Sequence, residues 1–205
     1  MWWRPLPKVP RRATRTRQRE RRRSLGTLDR VSYRFVDDEP TWYWPNGERR
    51  PDPDSDDGAP TLVVDIDGVL ADARHRQHYL NGRWQDWDSF FLAAGGDGLL
   101  VEQARLLETV AEDHVIALLT ARSDWIDGIT LTWLHEHGVR WDLLIMRCSG
   151  DYRRSTQMKQ HALEQLKVRN YRPVLAIEDD PRNVTMFENN DIPCIFIPSG
   201  YHGST

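Results

Sequence analysis

The chain has 205 residues, 39% apolar and 29% charged, with a formal net charge of −3. That length fits one ordinary domain with additional sequence, large enough to bury a substantial core. No run of roughly 18 apolar residues occurs, which excludes a transmembrane helix and a membrane partner, and the "MWWRPLPKVPRR" start has no apolar signal core. The net charge hides an asymmetry. Residues 1–23 hold nine Arg and one Lys against Glu20, residues 37–57 hold eight acids against two Arg, and residues 58–205 hold 21 acids against 14 bases. Two cysteines, Cys148 and Cys194, form neither a metal pattern nor a disulfide framework, and read as reduced thiols of a cytoplasmic protein.

Three regions are expected in chain order. Residues 1–30 form an Arg-rich arm with too little apolar surface to offset chain entropy, so it is expected to be disordered in isolation. It is either a nucleic-acid contact through residues 4–23 or a solvated tail. Residues 31–60 combine a short hairpin, Tyr33–Val36 with Thr41–Trp44, and an acidic Pro-rich linker, "PDPDSDDGAP". Residues 61–205 are the compact domain.

Within that domain, strands and helices alternate. Strands are expected at Thr61–Ile66, Val115–Leu119, Leu143–Met146, Pro173–Ile177 and Cys194–Ile197. Helices are expected over Gly98–Asp113, Trp125–His137 (N-capped by Ser123 or Asp124), Thr156–Val168 and Asn183–Asn189. Repeated β-α-β with continuously apolar strands implies a five-stranded parallel sheet covered by helices on both faces. The segment "ARHRQHYLNGRWQDWDSFFLAAGGDG" after the first strand is a short insert, whose Trp84, Trp87 and Phe90 are expected to pack as core.

Ligands of open α/β sheets bind at the carboxyl ends of the strands. The first strand ends in Asp65-Ile66-Asp67-Gly68, the second in Thr120-Ala121-Arg122 and the fourth in Glu178-Asp179-Asp180, with Lys159 early in the preceding helix. Clustered carboxylates repel unless a cation joins them, and all-oxygen ligation favours Mg²⁺. Mg²⁺ beside Arg, Lys and Thr makes a pocket for a phosphoryl group.

The order "DIDGVLAD", a strand ending in Thr120, then Lys159, then paired acids resembles the haloacid dehalogenase (HAD) superfamily, over roughly Thr61 to Tyr201. The runs "LLTARSDWIDGITLTWLHEHGV", "DLLIMR", "GDYRRSTQMKQHAL" and "LAIEDDPRNVTMFENNDIPCIFI" are similar to the 3′-phosphatase domain of phage-type polynucleotide kinase–phosphatase. No G-x-x-x-x-G-K-[ST] run occurs, so the kinase half is missing from this sequence.

The resemblance implies a HAD-like Rossmannoid fold with a minimal cap and a Mg²⁺-dependent phosphomonoesterase working through an aspartyl-phosphate. It makes Asp65 the nucleophile, Asp67 the general acid and base, Thr120 a donor to phosphoryl oxygens and Lys159 a charge stabiliser. Asp65, the Asp67 carbonyl and Asp179 would hold the metal, with Glu178 added. Arg122 would grip the phosphate. Apart from the resemblance, Arg74, His75, Arg76 and His78 lie close to the first motif and could touch substrate, with contact expected for Arg74 and His75, and Arg153 is a further candidate contact. This chain has Glu178-Asp179-Asp180 where that branch commonly has Asp-Asp-Arg, and Ser155 where it commonly has an acid. The implied substrate is a phosphorylated nucleic-acid end. The alternatives are a small nucleotide, or a scaffold whose Arg-rich arm binds nucleic acid.

Overall fold

The computed structural model describes residues 32–34, 39–45, 57–81 and 83–202. The expected arm over 1–30, and most of the acidic linker, lie outside the described residues. Strands β1 (Ser32–Arg34), β2 (Thr41–Trp44), β3 (Ala59–Val64), β6 (Val115–Ser123), β7 (Leu143–Arg147), β8 (Tyr171–Glu178) and β9 (Cys194–Phe196) form one sheet in the order β1-β2-β7-β6-β3-β8-β9. The five strands β7-β6-β3-β8-β9 are mutually parallel, and β3 sits at their centre. Strands β4 (Ala71–Asp72) and β5 (Gly98–Leu99) pair separately and close the base of the insert. No helix among the described residues is long and apolar enough to cross a membrane.

The parallel core is legible in composition because both faces of its strands are covered. Helices α4 (Ser155–Val168) and α5 (Pro181–Glu188) cover one face through Met158, Ala162, Leu163, Leu166, Met186 and Phe187, which pack on Val63, Ala117, Leu119 and Ala176. Helix α3 (Asp127–Glu136) lies on the other face, which its hydrogen bond from Tyr43 Oη to Asp127 fixes. With both faces buried, the two-residue polar alternation of a half-exposed strand disappears.

The sheet has seven strands rather than the five expected, because the hairpin joins it. β2 runs antiparallel to β7, pairing Trp42 with Ile145, and β1 runs antiparallel to β2. Trp42 is 1% exposed and packs with Trp44 in the α4–α5 core, under the Arg169 guanidinium, 4.6 Å away. On the opposite face Thr41 Oγ1 donates to Asp124 at 2.8 Å. This edge is therefore part of the core, and Trp42→Ala is expected to cost about 3–5 kcal/mol, read as a lower midpoint in urea unfolding; an unshifted midpoint would contradict the packing.

Two other expectations shift. The helix expected from Gly98 begins at Val101, as α2 (Val101–Glu108), since Gly98–Leu99 pairs with β4 and Leu100 N donates to Leu70 O at 2.8 Å. Neither Ser123 nor Asp124 caps α3. β6 runs to Ser123, a 3-10 turn occupies Asp124–Ile126, and the Asp124 carboxylate turns away to Thr41 and the Ser149 amide.

The insert corrects a third reading. Its 3-10 turn Arg74–Tyr79 leads into helix α1 (Trp87–Leu92), N-capped by Asp86 on the Ser89 amide. Trp84 and Trp87 are 85% and 47% exposed; of the three aromatics expected as core, only Phe90 is buried. A six-residue helix turns few positions inward, and Phe90 takes one of them, beneath the Arg76 guanidinium at 4.1 Å.

Candidate active site

β3 stops at Val64, and Asp65 N still donates to Ile177 O at 3.0 Å, so the first acid stands where the ladder ends. The chain turns at Gly68, φ +81°, where a Cβ would lie 2.0 Å from Asp179 Oδ2. Glycine is required twice over, by the left-handed backbone and by the closeness of Asp179.

Two charge clusters meet at this edge. In the first, Lys159 Nζ bridges Asp65 Oδ2 and Glu178 Oε1, each at 2.8 Å. Asn183 Nδ2 also donates to Glu178 Oε1, and to Ser155 Oγ at 3.2 Å. Asp179 stands beside them, and carboxylate oxygens of Asp65, Glu178 and Asp179 all lie within 4.8 Å of one another. Burial, then the Glu178 charge, raises Asp65 well above its ordinary value, with Lys159 pulling the other way. Burial alone would lower Lys159, but the Asp65 and Glu178 carboxylates outweigh it and keep the ammonium charged.

This donor set fits a hard divalent cation. One buried ammonium serves two of three carboxylates, Glu178 Oε2 is buried without a hydrogen-bond partner, and Asp179 Oδ2 faces the His202 ring at 3.4 Å. Oxygen-only ligands with an orphaned carboxylate oxygen suit Mg²⁺. The Asp67 carboxylate is not among the clustered ligands.

The second cluster holds that carboxylate. Asp67 Oδ1 accepts from Arg76 Nη2 at 2.5 Å, and from Arg122 Nη2 and Nε at 2.6 and 3.0 Å. Asp97, from the insert, accepts from the same two arginines: Arg76 Nε and Nη2 at 2.7 Å each and Arg122 Nη2 at 2.7 Å. Its own carbonyl accepts from Trp133 Nε1 at 2.8 Å. Burial would raise Asp67, yet the guanidiniums of Arg122 and Arg76 outweigh it and hold the carboxyl below its ordinary value. Arg122 is fully buried, and its Nη1 has no hydrogen-bond partner. Thr120 Oγ1 accepts from the Arg122 amide at 3.1 Å, which ties the hydroxyl to the end of β6.

The structure thus brings Asp65, Lys159, Glu178 and Asp179 into one cluster, and joins Asp67, Arg122 and Thr120 through the second. The remaining substrate candidates lie outside both clusters or at their margin. Arg74 is exposed and forks onto Asp72. His75 is half-exposed, with Nε2 2.9 Å from Asp97 Oδ1. Arg153 is exposed and pairs with Asp151.

Two participants, Asp97 and His202, escape a reading by motif, and a third, Arg76, is offered by the sequence only as one of four candidate substrate contacts. Arg76 is indistinguishable in sequence from its neighbours Arg74 and His78, although only Arg76 is buried. Asp97 sits in "GGDG", which reads as a turn. His202 reaches Asp179 at 3.4 Å from the last described residue, held there by Tyr201 Oη on Asp72 at 2.9 Å; the Asp179 carboxylate, more than burial, decides its upward shift.

A parallel sheet with an acid-rich carboxyl edge and a short insert after its central strand is the frame of a HAD-type phosphatase. More narrowly, the chain belongs to the family described as the polynucleotide kinase PNKP phosphatase domain, whose model matches residues 59–201. Among curated proteins none matches it by sequence.

Among the solved structures that resemble it are two complexes. One is "Structure of the Pnkp1/Rnl/Hen1 RNA repair complex", 23% identical over 72% of this chain and 45% of the other, TM-score 0.57. The other is "Structure of Pnkp1/Rnl/Hen1 complex", 23% identical over 73% and 48%, TM-score 0.53. A HAD-superfamily hydrolase from Geobacter sulfurreducens is 14% identical over 69% of this chain and 89% of its own, at a TM-score of 0.40. The chain spans about half the length of the matched chains of the two complexes, and at this identity the likeness is one of fold.

Proposed function

We propose that the chain is a Mg²⁺-dependent phosphomonoesterase that removes the 3′-phosphate from polynucleotide ends through an aspartyl-phosphate. The observation that carries this reading is the pairing of two clusters at one sheet edge. One holds a carboxylate, Asp65, beside Lys159 and two further acids; the other holds a second carboxylate, Asp67, between two buried arginines.

In the proposed reaction an Asp65 oxygen bonds to phosphorus as the bond to the 3′-oxygen breaks. Asp67 enters this half protonated, against the pull of its arginines, and delivers that proton to the leaving oxygen. It then takes a proton from the water that attacks the same phosphorus and releases phosphate, returning Asp65 to a free carboxylate. Asp67 begins the second half as a base for which its arginines suit it, since they favour the carboxylate. Arg122 Nη1, which has no hydrogen-bond partner among the described residues, and the Thr120 hydroxyl are the donors this reading assigns to phosphoryl oxygens, and Lys159 offsets charge on Asp65. Asp65, Glu178 and Asp179, with the Asp67 carbonyl, are the groups that would hold Mg²⁺, whose charge when bound neutralises the phosphoryl group and keeps Asp65 ionised.

One matched complex is named for RNA repair, which makes a 3′-phosphorylated RNA the first substrate to try. The deciding experiment compares 3′-phospho-RNA, 3′-phospho-DNA, 5′-phosphorylated ends and mononucleotides, with Mg²⁺ and with EDTA. Release from 3′-phosphorylated oligonucleotides in Mg²⁺ alone is expected. Faster turnover of mononucleotides would favour the small-substrate reading, and no turnover of any phosphomonoester would sink the proposal. The Arg-rich arm supports a nucleic-acid contact by residues 4–23, which would show as steeply salt-dependent binding lost on removing residues 1–23.

A further inference from the structure

Two aromatic side chains on the connections that leave the carboxyl ends of β3 and β7 stand in solvent. Trp84, in the insert, is 85% exposed, and Tyr152, between β7 and α4, is 96% exposed. Isolated exposed aromatics are ordinary, but these two share a setting. Each has an exposed arginine next to it: Arg83, whose guanidinium lies 6.0 Å from the Trp84 ring, and Arg153, followed by exposed Arg154. Both stand at the same carboxyl edge, in a domain that is otherwise acidic, with 21 acids against 14 bases over residues 58–205.

Neither loop is loose. The turn carrying Trp84 is tied back by Asp86 N to Tyr79 O at 2.9 Å. It leads into α1, whose Phe90 lies against the Arg76 that holds Asp67. The Tyr152 loop is held by Arg147, which donates from Nη1 to Arg153 O at 2.7 Å and from Nε to Ala121 O at 3.1 Å, between Thr120 and Arg122. Past that loop, α4 carries Lys159 to Asp65. The acids nearest these aromatics are engaged: Asp86 caps α1, and Asp151 pairs with Arg153. Described residues flanking each ring are hydrogen-bonded into the domain, and the rings are presented outward.

We propose that Trp84 and Tyr152, each beside an arginine, are base-stacking platforms for the nucleotides that precede the terminal phosphate of a single-stranded polynucleotide. The proposal rests on the phosphatase reading above and adds where the rest of the substrate lies. An aromatic face stacks any base, and the exposed Arg83 and Arg154 can neutralise the backbone, so the pair holds a strand without reading its sequence. Unpaired bases are required, since paired ones are already stacked within the duplex.

The test is the ratio of kcat/KM on a 3′-phosphorylated hexanucleotide to that on a nucleoside 3′-monophosphate. It is measured for the parent chain and for Trp84→Ala, Tyr152→Ala and their Phe counterparts, with RNA and DNA hexamers in parallel. Stacking is worth about 1–3 kcal/mol per base, so each Ala variant is expected to lower the ratio about tenfold, and Phe to restore most of it. Binding of an unphosphorylated hexamer, followed by anisotropy, is expected to weaken by a similar factor in the Ala variants. An unchanged ratio, or an equal loss on both substrates, overturns the platforms while leaving the phosphatase reading intact. Trp84-dependent hexamer binding without turnover of any phosphomonoester does the reverse.

Discussion

Asp65→Asn is expected to lose phosphate release by at least about a thousandfold, as removal of a nucleophile does, while making the metal-free protein more stable. The two effects have one cause. Asp65 sits in a buried cluster with Glu178 and Asp179, and burial first, then the Glu178 charge, raises it well above its ordinary value of 3.8. A group raised in the folded state contributes stability that is complete below its unfolded value and is lost as pH climbs through the folded one. At pH 7 without a cation, the Asp65 carboxyl therefore stabilises the fold less than it does at pH 4. Asparagine removes that titration and keeps the shape. Its Tm in EDTA at pH 7 should exceed the parent's, by about 2–4 °C for each kcal/mol relieved, and the gap should close toward pH 4. Mg²⁺ should raise the parent's Tm more than the variant's. Equal Tm values at pH 7 in EDTA, with equal Mg²⁺ responses, would count against a cation site built around Asp65.

The parts of this site legible in sequence are those that lie on regular elements with long buried neighbours. Asp65, Thr120 and Glu178 each follow a run of apolar residues, and a buried parallel strand is readable as such a run. Lys159 is readable through its place in α4. What depends on distant pairing is not. Nothing near Thr41 announces that β2 will pair with β7, about a hundred residues later, so the sequence shows that Trp42 and Trp44 need a surface to pack on but not which one. Trp84 and Trp87 read as core by composition, but the short α1 has no stripe wide enough to bury them. Asp97 is the sharpest instance. Its flanking glycines give the signature of a turn, and its partners Arg76 and Arg122 are 21 and 25 residues away on either side.

Asp97 tests whether the second cluster is scaffold or machinery. Its carboxylate is the shared anion of two fully buried guanidiniums that also grip Asp67. Asp97→Ala leaves those two guanidiniums with Asp67 as their only carboxylate and should cost about 3–5 kcal/mol, the range for breaking a buried pair. Asp97→Asn keeps the volume but turns an NH₂ toward an arginine N–H and leaves one uncompensated positive charge. The surplus pulls Asp67 further toward its ionised form, so the proton for the leaving oxygen is harder to supply. It also strengthens the field on a bound anion. For Asp97→Asn, assayed below its own Tm, we expect kcat to fall about a hundredfold, KM to change little, and inorganic phosphate to inhibit at about tenfold lower concentration. A purely structural role would lower Tm and leave kcat and phosphate inhibition as in the parent. The combination of slower turnover and tighter product is what a positioning residue predicts, because the same guanidiniums serve both the proton donor and the phosphate.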